Sequence, residues 1–421
     1  MARSDTLSTP SVRRALPLSG AIMQTSDAAS AVATYRPRGV ASMRFFISVA
    51  TFVARCVYAA MKAVVPVRHK VLFLSRQSDV PSLDFTRLAE ALHAKDPDLE
   101  IVMRCRMLGE GSVARALDML AIVGQMYHLA SSRACVVDGY VIPVSLLTHR
   151  QGFFVVQMWH ALGAVKKFGY QTIGRPGGRS ATIASAMRMH RNYDLVLCSG
   201  PGTVPFFAEA FGVDPPVVAP LGAPRVDYLL EAADAIGSGG LPDGAAKVRA
   251  RSPLLDAPER MVVLYAPTFR KTGGDRYRDV AARFADDRYT LIVKPHPLES
   301  ARVEGANIVN AGGADILDIL PLCAAVITDY SAVAFEAAVM GLAVYFYVYD
   351  IDDYVRDHGL NIDPLDEMPE VSSRDIGTLA DLIDEGAPRP RSMEFFRESY
   401  ASAPRGCADR IADRILEAMK A

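Results

Sequence analysis

"AAVITDYSAVAFEAAVMGLAVYFYVYD", residues 324–350, sets two short β-rich apolar runs around a segment of helical composition. "AAVITDY" reads as a strand, "SAVAFEAAVMG" as a helix opening near Ser331, and "LAVYFYVYD" as the next strand. Strands that are apolar throughout, rather than alternating, are covered on both faces, so this strand–helix–strand unit predicts a parallel sheet flanked by helices.

The same rhythm extends outward. Upstream lie "MVVLYAPT" (261–268), "YTLIVKPHP" (289–297) and "ANIVNAG" (306–312) as strands, and "ADILDILPLC" (314–323) as a helix. An earlier series has the strands "KVLFLS" (70–75), "LEIVMRCR" (99–106), "ACVVDG" (134–139), "GFFVVQMW" (152–159) and "YDLVLCSG" (193–200), with the helices "DFTRLAEALHAK" (84–95), "VARALDMLAIVGQMYHLASS" (113–132) and "PGTVPFFAEAFG" (201–212). Between the two series, "AIGSGGLPDGAAKVRA" (235–250) is rich in Gly and reads as a linker. The expected fold is therefore α/β, with two Rossmann-like parallel-sheet domains, 67–240 and 241–390, facing across a cleft, and C-terminal helices over 391–421. Ligands in such folds bind at the carboxyl ends of the strands. Neither GxGxxG nor GxxxxGK[ST] occurs, so no dinucleotide fingerprint or Walker loop is present.

With 421 residues, half of them apolar, the chain can build two separate cores. A formal net charge of −1 excludes a protein that coats nucleic acid. The six cysteines show no metal spacing and no short secreted framework, as expected of reduced thiols in a cytosolic chain.

Residues 1–42, rich in Ser, Ala, Thr and Pro, read as a disordered tail. Residues 43–66 read as an amphipathic helix. Arg44, Ser48, Thr51, Arg55, Tyr58 and Lys62 recur at steps of three and four, and Phe45, Phe46, Val49, Phe52, Val53 and Val57 fill the remainder. Charges at Arg55 and Lys62 argue against a membrane span. The expectation is a helix lying in the headgroup plane of an anionic membrane, and the alternative is a helix packed on the protein with its charged stripe in water.

Four strand ends could carry chemistry. Lys294 and His296 are each followed by proline, which fixes the backbone there. Thr328 and Asp329 end a strand ahead of a helix start at Ser331, a place for a phosphate, with Glu336 further along. Thr268 and Arg270 follow another strand, and a guanidinium suits phosphate oxygens. His160, beside Trp159, closes a strand in the first half. No acidic residue lies between Asp138 and Asp194, whereas Arg150, Lys166, Lys167, Arg175, Arg179, Arg188 and Arg191 do, which predicts an electropositive face for an anionic acceptor or membrane.

"WHALGAVKKFG", "LGAPRVDYL", "YAPTFR", "VKPHP" and "ITDYSAVAFEAAVMGLAVYFYVYDIDDY", in this order, resemble the CDP-glycerol glycerophosphotransferases, the primases and polymerases of teichoic-acid-type polymers. The resemblance runs from about residue 70 to 365. It implies a GT-B fold, peripheral attachment to the cytoplasmic face of the membrane, and transfer of glycerol phosphate from CDP-glycerol to a hydroxyl of a lipid-linked acceptor, releasing CMP. It implies no tightly bound cofactor, no protein-bound metal site and no nucleic-acid partner; a need for Mg2+ and the oligomeric state stay open. It makes His160 the general base and His296 the holder of the donor phosphates. Thr268, Arg270, Lys294, Asp329 and Ser331 join the CDP site, and Glu336 takes the ribose hydroxyls. Trp159, Lys166, Lys167 and Arg225 fall to the acceptor.

Two departures stand out. Where the family commonly has Gly-Thr-Pro after Trp-His, this chain has Ala161, Leu162, Gly163 and Ala164, and where a second serine is frequent it has Ala332. CDP-ribitol or another CDP-alcohol is an alternative donor. Rival readings are a GT-B glycosyltransferase or sugar 2-epimerase using a nucleotide sugar, and a catalytically inactive membrane scaffold.

Overall fold

The computed structural model describes residues 38–420 except 108–111, 177, 179, 271–275, 297–298, 300 and 387–390, and only the backbone for 38–47 and 112–117. The tail expected over 1–42 falls almost wholly outside the described residues.

Each half is built on six parallel strands. In the first they are β1 (Lys70–Ser75), β2 (Glu100–Cys105), β3 (Ala134–Val137), β4 (Phe154–Gln157), β5 (Leu195–Leu197) and β6 (Val218–Ala219), in the order β2-β1-β3-β4-β5-β6. In the second they are β7 (Met261–Tyr265), β8 (Tyr289–Val293), β9 (Ile308–Asn310), β10 (Ala325–Thr328), β11 (Ala343–Tyr347) and β12 (Ser372–Ser373), in the order β12-β11-β10-β7-β8-β9. The two-Rossmann, GT-B-like expectation holds. Each order reverses once, between β1 and β3 and between β7 and β10, and the loops leaving those paired strands diverge to open a crevice. β1, β3, β8 and β10 are buried along their whole length, which is why they read as unbroken apolar runs.

The linker is shorter than its composition predicts. One helix runs from Pro224 to Gly237 and another from Asp243 to Arg249. The last helix does not stay with the second half: Cys407–Lys420 packs on α2 (Leu83–Lys95), Arg133 donates to Met419 O at 2.9 Å, and Asp227 accepts from the N–H groups of Gly406, Cys407 and Ala408.

The N-terminal helix, α1 (Arg38–Val64), corrects the expectation about its polar stripe. From residue 47 onward that stripe faces the protein. Tyr58 is buried and its hydroxyl meets His149 Nδ1 at 3.0 Å, Arg55 donates to Leu146 O, and Lys62 donates to Thr148 O at 2.6 Å. The apolar side points outward instead, with Phe52 68 % and Val53 52 % exposed. No helix among the described residues is long and apolar enough to cross a membrane.

Candidate active site

A cavity of about 690 Å3 opens between the carboxyl ends of the two sheets. His160 and Arg225 enter it from the first half; Lys294, His296, Ser331 and Glu336 enter it from the second. Six side chains spread over 177 positions thus share one space, because both sheets direct their strand ends toward it. Another cavity, beside Cys323 and Met393, takes in none of the candidate side chains.

His160 follows β4 after Trp159, whose φ of 61° turns the chain sharply. The residue is exposed to the cleft and lines the cavity. Nδ1 lies 3.0 Å from Asp138 O. A carbonyl oxygen only accepts, so Nδ1 carries the hydrogen and Nε2 keeps its lone pair. Desolvation by the protein packed around the cleft lowers the imidazole to about 4, against the backbone hydrogen bond to Asp138, which raises it. The ring is neutral at pH 7 and able to accept a proton.

Opposite stand His296 and Lys294. Burial lowers the pKa of both, and the charge of Lys166 lowers that of His296 further. Lys294 Nζ donates to Gly312 O at 3.0 Å. Lys166, expected on the acceptor side, reaches toward the second half: its backbone bridges to Leu360, and its charge interacts with Asp329 and Arg270. Lys167 N donates to Gly359 O at 3.0 Å.

Glu336 is buried on the helix Val333–Val339. Its Oε1 accepts from Arg225 at 3.2 Å, and its Oε2 is buried with no hydrogen-bond partner among the described residues. Burial raises its pKa, opposed by Arg225. Glu336 lines the cavity, and its Oε2 is shielded from solvent.

Arg225 has a different setting from the one expected. Its backbone N–H and Nε donate to Asp84 at 2.7 and 2.8 Å, and Nη1 reaches both Glu336 and His160 O. It therefore ties the first turn of α2 to the second half and steadies the loop bearing His160. Asp84 gave no functional signal in sequence, where it looks like an acidic residue at a helix start.

Thr268, Arg270 and Asp329 do not line the cavity. Asp329, 1 % exposed, accepts from Thr268 N, Thr268 Oγ1 and Tyr330 N through Oδ1, and from Arg270 through Oδ2 at 2.8 Å. Arg270 also binds Asp350 at 2.7 Å and lies over the rings of Tyr330 and Tyr354. This network clamps the β7 and β10 exits behind the site. The helix after Ser331 begins two residues later than expected, at Val333, whose N–H is 3.5 Å from Ser331 Oγ.

The loop that replaces Gly-Thr-Pro is packed rather than open. Leu162 is 1 % exposed, and a Cβ on Gly163 would lie 2.2 Å from the ring of Phe335. Of the residues expected to form an electropositive face, Arg188 and Arg191 line one cavity together. Arg150 donates to Ala130, Lys62 and Val65 carbonyls, and Arg175 donates to Val355 O; Arg179 lies outside the described residues. Among the described residues, no three His, Cys, Asp or Glu side chains are grouped to hold a metal ion.

Two parallel-sheet halves with a histidine from each lining the cleft between them make a two-domain, GT-B-like fold. Residues 57–417 match the family described as CDP-Glycerol:Poly(glycerophosphate) glycerophosphotransferase, and the chain belongs to that family, whose relatives are enzymes of teichoic acid biosynthesis. It is 30 % identical over 380 residues, 85 % of this chain and 94 % of the relative, to a teichoic acid ribitol-phosphate primase of Bacillus spizizenii. A teichoic acid glycerol-phosphate primase of the same organism is 26 % identical over 77 % of this chain and 82 % of its own length. Among solved structures, the wall teichoic acid polymerase TagF superposes with a TM-score of 0.68 at 17 % identity, covering 90 % of this chain and 98 % of that one. A UDP-GlcNAc 2-epimerase from Methanocaldococcus jannaschii shares the fold at a TM-score of 0.51 and 12 % identity over 83 % of this chain and 99 % of its own.

Proposed function

We propose that this enzyme transfers a polyol phosphate from a CDP-activated polyol to a hydroxyl group of a lipid-linked acceptor, releasing CMP. The observation that carries this reading is that His160, its Nδ1 engaged with Asp138 O, lines one cavity with His296, Lys294 and Glu336. The acceptor hydroxyl oxygen attacks the phosphorus that bears the polyol, the bond from that phosphorus to the bridging oxygen breaks, and the bridging oxygen leaves with CMP. The hydroxyl proton passes to His160 Nε2. His296 and Lys294 offset charge on the phosphates, and Glu336 takes the ribose hydroxyls. The relatives divide between ribitol and glycerol donors, so CDP-ribitol and CDP-glycerol are both substrates to test.

The exposed apolar side of α1 supports attachment to a membrane surface at the cytoplasmic face. Met119, Leu120 and Val123 of α3 (Ser112–Ser131) are also exposed, and both helices pack through their other sides on the same core cluster. Apolar residues from two neighbouring helices suit insertion at the headgroup boundary, bringing the cavity near a lipid-linked acceptor.

Incubation with each CDP-polyol and a lipid-linked acceptor, with and without Mg2+, should release CMP in step with acceptor extension. Turnover of UDP-sugars instead, or no CMP release from either CDP-polyol, would refute the assignment.

A further inference from the structure

A cavity of about 370 Å3 in the first half is lined by Tyr170, Ile173, Ala181, Ser185, Arg188 and Arg191, and it shares no lining residue with the cleft cavity. No acidic residue is among its described lining residues. Neither guanidinium donates a hydrogen bond to a described residue or pairs with a described carboxylate. Two cations thus face one space with no counter-charge of the protein's own.

The turn that carries them is pinned from within. Met189 and His190 are buried, and Tyr170 donates to Met189 O. Arg188 has a φ of 48°. Its N–H donates to Ser185 O and that of Met189 to Ala184 O, the closing bonds of the short helix Ala181–Ala186, so Arg188 occupies the place where a helix end usually takes glycine. His190 and Asn192 also have positive φ. Such conformations persist where the surroundings over-determine them, and they gather at sites that must be preorganised. Asn192 completes the anchoring by donating to Val144 O and Leu147 O at 2.8 and 2.9 Å. The carbonyls of Leu146 and Thr148, in the same segment, receive Arg55 and Lys62 of α1. One short segment therefore joins the arginine turn to the helix whose apolar side is exposed.

We propose that this cavity takes the headgroup of an anionic glycerophospholipid of the bilayer, with the phosphodiester between Arg188 and Arg191 and the glycerol carbons against Ile173 and Ala181. The proposal rests on the membrane-surface reading of α1 above and adds a headgroup-selective contact to the apolar one. A guanidinium fork matches phosphate oxygens, and the volume suits one headgroup. The lack of a lining carboxylate leaves nothing to receive the ammonium of a zwitterionic lipid, which favours phosphatidylglycerol over phosphatidylcholine.

The full-length protein is titrated by calorimetry with dihexanoylphosphatidylglycerol below its micelle concentration, with dihexanoylphosphatidylcholine, and with inorganic phosphate. Saturable binding of the phosphatidylglycerol is expected, at least about tenfold tighter than that of the other two. Arg188→Gln with Arg191→Gln should weaken it roughly tenfold or more and leave CDP affinity unchanged. Ser185→Glu, at an exposed lining residue, puts a carboxylate at the cavity and should weaken it similarly. Arg278→Gln with Arg302→Gln removes the same charge from exposed positions of the second half and should leave the titration at wild type. No saturable binding, equal binding of phosphatidylcholine or inorganic phosphate, wild-type affinity in Ser185→Glu, or an equal loss in the Arg278 and Arg302 pair overturns the proposal. Binding of the soluble lipid by a protein that does not sediment with anionic liposomes would instead remove the membrane-surface reading of α1 and leave this site standing.

Discussion

His160 acts through a tautomer that the backbone sets. Its Nδ1 hydrogen goes to Asp138 O, a carbonyl at the end of the neighbouring strand, so Nε2 is the nitrogen left for an incoming hydroxyl. His160→Ala should lower turnover about a hundred- to ten-thousand-fold while CDP affinity, measured by calorimetry, stays near wild type; undiminished CMP release would remove the base role. Because desolvation in the cleft lowers the imidazole to about 4, the acid limb of kcat/KM should lie near pH 4 rather than near 6.5. An acid limb between 6 and 7 would contradict it. His149, half-buried against Tyr58, is also pushed down to about 4 by desolvation. For both groups the folded pKa is below the unfolded one, so the unfolded chain binds protons first as pH falls through the range from about 6.5 to about 4. Stability present above pH 6.5 is lost across that window, and melting temperature should drop between pH 7 and 4.5. A side chain's position at a strand end was readable in His160, Lys294 and His296. Its partners were not. Arg270 and Asp329 look as available in sequence as His296 does, and they are withdrawn only because Asp350, brought over by the chain beyond β11, completes a buried network with them.

Strands and helices were the most legible part, since burial of whole strands leaves apolar runs that local composition reveals. The orientation of α1 was not legible. Its polar residues have backbone carbonyls of the 142–149 segment as partners, and a periodic pattern shows that one stripe differs from the rest without showing which side meets the protein. Gly163 makes a related point about the loop after His160. It allows the loop to lie against Phe335 on the second half, at a distance no β-carbon tolerates. Gly163→Ala should lower the melting temperature and weaken CDP binding, measured by thermal shift with and without CDP; equal curves for the variant and the wild type would show that the loop gives way freely. Arg225 joins elements 141 residues apart in one direction and 111 in the other. With Asp84 2 % and Glu336 4 % exposed at their side chains, Arg225→Ala leaves two buried carboxylates unpaired and should cost roughly 3–5 kcal/mol. Urea denaturation measures this, and a loss below about 1 kcal/mol would mean the pair is wet.

Across the full chain, an apolar surface and a polar cleft occupy different parts of one molecule. Phe52→Glu with Val53→Glu should abolish sedimentation with anionic liposomes and leave the melting temperature unchanged, because both side chains are already exposed; undiminished sedimentation would exclude this surface as the membrane contact. The return of Cys407–Lys420 to the first half had no sign in the sequence, since an amphipathic helix does not state which sheet will cover it. Family, fold class and the histidines of the cleft follow from local runs and short motifs, because burial pattern and residue type are properties each segment carries within itself. The separation of cavity residues from clamping residues, the inward polar side of α1, and the cavity at Arg188 and Arg191 depend on groups distant in the chain competing for the same hydrogen bonds and the same space. That competition is settled only when the segments pack together.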